Sequence, residues 1–96
     1  MIEIVVADQG WVFIGNVCHD QARQIARAFL ALGNEAILLE NANCIRRWGT
    51  SQGLGELVNG PTENTILDPM GCVTVKNVLF TIEVNQDAWK HVINKN

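Results

Sequence analysis

A change of hydrophobic period after Val17 limits what this chain can become. Before it, Ile2-Glu3-Ile4-Val5-Val6-Ala7 and Trp11 to Val17 are β-branched or aromatic runs, separated by the turn signal Asp8-Gln9-Gly10. They predict a β-hairpin, with Gly15 marking a bulge or a close backbone approach. After it, Ala22, Ile25, Ala26, Phe29 and Leu30 recur at helical spacing. That predicts one amphipathic helix over about residues 20–33. Asp20 is placed to accept the first free N–H groups, and Gly33-Asn34 supplies the left-handed stop. A helix with one apolar stripe must cover something, and the strands are the only candidate.

Downstream the period returns to two. Ala36 to Glu40 and Cys44 to Trp48 predict an antiparallel pair turning near Asn41-Ala42-Asn43. Gly49 to Gly71 reads as irregular, with a helical turn at Leu54 to Val58 and a short strand at Thr65-Ile66-Leu67 closed by Asp68-Pro69. Cys72 to Lys76 and Val78 to Val84 predict a second hairpin, and Gln86 to Ile93 a short helix docking Trp89, Val92 and Ile93. The sum is an α+β fold. Five to seven short strands form a small curved antiparallel sheet or open barrel beside one amphipathic helix.

With 96 residues, 48% of them apolar, the chain is expected to form a single domain over residues 1–96 rather than a disordered segment. No apolar run reaches the ~20 residues of a membrane span, and Met1-Ile2-Glu3-Ile4 lacks the make-up of a signal peptide. Neither a membrane nor export is therefore expected. A formal charge of -3 argues against nucleic acid as a partner. Cys18, Cys44 and Cys72 contain no C-x-x-C pair, and His19 and His91 lack zinc-ligand spacing, so buried free thiols and no metal are expected.

The segment from Ile45 to Leu57 carries the most chemistry. Arg46 and Arg47 end a strand, Trp48 follows, and a loop brings Thr50, Ser51, Gly53 and Gly55. Forked guanidinium donors, hydroxyls and glycine-exposed N–H groups together suit an anion, with Trp48 placed to stack on it. A second reading stays open, in which Arg46 and Arg47 lie on alternate faces and pair with Glu56 or Asp68. Gly53-Leu54-Gly55 is not a dinucleotide fingerprint, because Val58 stands where the third glycine belongs. No lysine lies between Arg47 and Lys76, which removes a phosphate loop, and no cofactor is expected. Trp11, Trp48 and Trp89 read as core or core rim, and a sheet edge beside Trp11 would suit a homo-oligomer.

Ile45-Arg46-Arg47-Trp48-Gly49-Thr50, Gly53-Leu54-Gly55-Glu56-Leu57, Gly60-Pro61-Thr62 and Leu67-Asp68-Pro69 resemble a family of small bacteriophage and prophage proteins with no established activity. Trp11-Val12 and Val78 to Ile82 fit the same pattern, while Cys18 to Ala36 looks like an insertion in it. The resemblance implies a protein that works by binding in the bacterial host's cytoplasm, as counter-defence or by sequestering anionic signal nucleotides. Three functions follow as expectations. The first is a non-enzymatic binding protein gripping a nucleotide-like anion or an acidic surface through the Arg46–Glu56 segment. The second is an inhibitor docking on a bacterial defence complex through the helix, with Arg23 and Arg27, and a sheet edge. The third is an enzyme using Glu56, Asp68 or His19.

Overall fold

A computed structural model describes residues 1–30 and 36–93, the side chains of 27–30 excepted. Five strands form one antiparallel sheet: β1 (Ile2–Ala7), β2 (Val12–Val17), β3 (Ala36–Arg47), β4 (Ile66–Lys76) and β5 (Val78–Glu83), in the order β4-β3-β2-β1-β5. Helix α1 (Gln21–Leu30) lies between β2 and β3, a 3-10 helix (Leu54–Asn59) between β3 and β4, and α2 (Gln86–Ile93) follows β5. No helix among the described residues is long and apolar enough to cross a membrane. The α+β fold and its antiparallel sheet are as the hydrophobic periods predict.

β1 and β2 form the expected hairpin, with Val6 opposite Val12 and the chain reversing through Asp8–Gly10. Gln9 (φ 61°) and Gly10 (φ 83°) supply the left-handed pair that the reversal needs. Gly15 is a close approach, as expected. A Cβ there would stand 3.0 Å from the Ala42 Cα and 3.1 Å from the Glu40 carbonyl oxygen, where the β2–β3 register shifts.

The strands differ from the sequence reading in three places. Ala36–Glu40 and Cys44–Trp48 are not partners: β3 is one strand running through both, and β4 is its mate. Asn41 (φ 50°) makes a bulge rather than a reversal, so Leu39 and Ala42 both stay buried on either side of it. β4 likewise runs straight through Asp68-Pro69. Pro69 lacks a donor, but β4 is an edge strand, where one side of the backbone needs none. The third difference is the second hairpin. β5 pairs with β1, not with β4, although only Asn77 (φ 56°) separates them. Two residues reach at most ~7 Å, whereas the outer strands of a flat five-stranded sheet lie ~19 Å apart. The sheet stays open, its edges unpaired with one another, but it bends sharply at this corner.

Alternation along β1 sorts the core into two clusters. Ile2, Ile4 and Val6 face one way, packing with Ile14, Ile45, Leu57, Trp89 and Ile93 under α2. Val5 and Ala7 face the other, with Phe13, Leu39, Cys44 and Val75. α2 is fixed by its own sequence. Asn85 Oδ1 accepts from the Asp87 and Ala88 N–H groups, and the Gln86 side chain bonds both the N–H and the carbonyl of Ile2. Trp89 is fully buried and its indole N–H donates to the Leu57 carbonyl at 2.7 Å.

α1 begins as predicted, with Asp20 accepting from the Arg23 N–H. The Gly33-Asn34 stop lies outside the described residues. The stripe behaves differently from expectation: Ala22, Ile25 and Ala26 are exposed. What holds this turn to the sheet is polar. Gln24 Nε2 donates to the Cys18 and Leu38 carbonyls, and Gln24 Oε1 accepts from the Leu38 N–H at 2.8 Å. Those bonds occupy the backbone of β3 next to β2, so the first turns of the helix dock through the Gln24 amide, while the Phe29 and Leu30 side chains of the stripe lie outside the described residues.

Candidate binding surface

The Arg46–Gly55 segment starts on a strand irregularity. Ile45 pairs with Leu67, but the next pair is Arg47 with Ile66, leaving Arg46 as an extra residue on β3. Leu67 and Ile66 alternate, so the register carries Arg47 to the face opposite Ile45, the face that Arg46 takes. The two arginines therefore do not sit on alternate faces. Arg46 Nε lies 3.3 Å from Asp68 Oδ2, with both side chains about half exposed. Arg47 is exposed, and no described carboxylate stands within ion-pair distance of it.

Trp48, 41% exposed, is displayed on a pinned loop. Thr65 Oγ1 donates to its carbonyl and Thr62 Oγ1 to the Gly49 carbonyl, each at 2.6 Å. Gly49 (φ 67°) lies so close to Asn64 that a Cβ would fall 2.3 Å from the Asn64 carbonyl carbon. Only glycine fits. Further along, the loop supplies its own anion: Glu56 Oε2 accepts the N–H groups of Ser51 and Gln52 at 3.1 and 3.0 Å. Glu56 is thus engaged by the backbone donors of Ser51 and Gln52, not by Arg46 or Arg47. Thr50 is half-buried, and Gly53 (φ 101°) and Gly55 have open space where a side chain would project. The structure brings Arg46, Arg47 and Trp48 to one end of β3, while Ser51, Gly53 and Gly55 belong to the self-satisfied turn leading into the 3-10 helix.

The sequence reading missed Trp11. It is 55% exposed and stacks on Phe13, with ring centroids 6.2 Å apart and an interplanar angle of 11°. Phe13 pairs with Cys44, so two steps outward Trp11 comes level with Arg46, and both line a groove of about 260 Å³. The i, i+2 spacing of two aromatics on a strand was the available signal, because such residues share a face.

Cys18 and Cys44 are buried as expected, but Cys72 is exposed on β4. Burial pushes the Cys44 thiol up, the Asp68 carboxylate adds to this, and Arg46 opposes it. The folded state thus holds this proton more tightly than the unfolded chain does. Its contribution is fully present below the ordinary thiol range and is lost as pH rises through the elevated value. Stability measured by denaturant is expected to fall across that alkaline window, and Cys44→Ala to flatten that part of the curve.

Another cavity of about 350 Å³, lined by His19, Glu40 and Cys72, opens where the bulges of β3 and β4 meet. Among the described residues no three His, Cys, Asp or Glu side chains are placed to hold a metal. His19 Nε2 lies 3.2 Å from the Met1 amine, Asp68 faces Arg46 and Glu56 faces the loop. No family model, no curated protein and no solved structure matches the chain.

Proposed function

We propose that this is a non-enzymatic binding protein that grips an anionic ligand through Arg46, Arg47 and Trp48 at the end of β3. The observation that carries the reading is Arg47, an exposed guanidinium with no carboxylate partner among the described residues, beside a tryptophan on a pinned loop. Such a pair is held ready, because neither the loop nor an internal ion pair must break before it binds. Arg46 joins at little cost, since an exposed pair such as Arg46–Asp68 is worth about 0–1 kcal/mol. An acidic protein surface suits this arrangement, because Arg46, Arg47 and Trp48 are all exposed at the end of β3. The phage resemblance adds a setting, the cytoplasm of a bacterial host and its defence proteins.

The test is calorimetric titration with cyclic and linear nucleotides alongside immobilised acidic polypeptides. Binding to the polypeptides is expected, weakened roughly tenfold or more by Arg47→Glu, as for charged interface anchors. Silence toward every probe, or binding indifferent to Arg46→Gln and Arg47→Glu, would sink the idea. A second reading, docking through α1, is supported by Ile25, which is 68% exposed on the helix's apolar stripe. Ile25→Asp would then abolish partner capture that Arg47→Glu leaves intact.

A further inference from the structure

We infer that the ligand is an extended acidic–apolar peptide segment of a partner protein, seated astride Trp11, with its carboxylate on Arg46 and the apolar side chain two residues along in a groove behind the indole. This rests on the reading of Arg46 as an anion holder and adds the half of the site that the arginines lack. Trp11 lines two grooves at once. One side is the polar groove shared with Arg46. The other is a groove of about 350 Å³ walled by Trp11, Phe13, Met70 and Val75, with Asp8 and Lys76 among its lining residues. Trp11 and Met70 are about half exposed, whereas Phe13 and Val75 are buried. The groove therefore offers a rigid floor and two amphipathic walls, which suits an aromatic or aliphatic side chain.

Charge selects the neighbour. The polar groove offers one guanidinium, already shared with Asp68, which matches a single carboxylate rather than a chain of phosphates. In an extended peptide, side chains two residues apart share a face about 6–7 Å from each other, enough to step across one indole. Met70 and Asp68 belong to β4, an edge strand with an unpaired side, so an extended segment can lie along it. The edge's own features, Pro69 and the bulge at Gly71 (φ 76°), discourage a long flat pairing and leave the side-chain anchors to set the fit.

Three peptides test this by amide and indole NMR titration of the intact chain: acetyl-Asp-Gly-Phe-amide, acetyl-Asn-Gly-Phe-amide and acetyl-Asp-Gly-Ala-amide. The first is expected to move the Trp11 indole N–H signal and to bind about tenfold more tightly than either of the others. Trp11→Ala should erase the Phe-over-Ala preference, and Arg46→Gln the Asp-over-Asn preference. Both side chains are exposed enough for these variants to fold, and Met70→Asp on the facing wall is expected to act like Trp11→Ala. If the Ala and Phe peptides bind alike while Asp still beats Asn, the inference fails and the anion reading survives. If Asn and Asp bind alike, both fall. A Trp11 signal that stays in place with every peptide also overturns the inference.

Discussion

Trp89→Ala is expected to lower the unfolding free energy by about 3–5 kcal/mol, the usual cost of deleting a fully buried large aromatic. Trp89 is the largest fully buried side chain and packs α2 onto the β1 face of the sheet. Its indole N–H also satisfies the Leu57 carbonyl, tying the 3-10 helix to the same core. The loss therefore propagates to the segment leading from Trp48 to β4. Small domains hold only ~5–15 kcal/mol in all, so the variant should denature at much lower urea concentration. Trp89→Phe separates the two contributions. It keeps most of the packing but removes one of the two hydrogen bonds to the Leu57 carbonyl, which still accepts the Gly60 N–H, at about 0.5–1.5 kcal/mol. Equal midpoints for the two variants would show that the hydrogen bond, not the ring, carries the effect.

Gly49→Ala should be the most damaging single methyl group in the binding region. The residue combines φ 67° with a backbone contact that a Cβ would violate outright, at 2.3 Å from Asn64. Left-handed strain alone costs about 1–3 kcal/mol, and the clash must in addition move the Asn64–Thr65 peptide. That movement breaks the bonds from Thr62 and Thr65 that hold Trp48. We expect lower stability and altered Trp48 fluorescence together, read against Gly55→Ala, where a Cβ meets nothing within 4 Å. Identical behaviour of the two variants would mean that the loop is not pinned at Gly49.

The elements themselves were legible wherever periodicity spoke alone. The first hairpin, the start of α1 at Asp20, the helical turn near Leu54 and α2 all lie where apolar spacing and caps put them. Partner choice was not legible. Asn41-Ala42-Asn43 has the composition of a turn, and only the tertiary need to bury both Leu39 and Ala42 makes it a bulge. Asp68-Pro69 reads as a stop unless one already knows that β4 lies on an edge. Lys76-Asn77 looks like a hairpin tip, yet β1 offers the free side that β5 needs. At the candidate site the sequence singled out Arg46, Arg47 and Trp48 and left Glu56 or Asp68 open as a partner for the arginines; Asp68 is the one that meets Arg46, and Glu56 caps its own loop. A carboxylate four and five residues from two free N–H groups is a local cap, and proximity along the chain outweighs the more distant charge. Trp11 was missed because a strand aromatic in a small domain usually points inward.

The pairing of β5 with β1 also has a temporal meaning. During synthesis the hairpin of β1 and β2 emerges first, and β1 then waits with one row of donors and acceptors open until Glu83 and its neighbours arrive to meet Glu3. Gln86 closes on Ile2 only after that. The first strand of this sheet to be made is thus among the last to be finished, so a ribosome stalled before β5 would hold out a sticky unfinished ribbon.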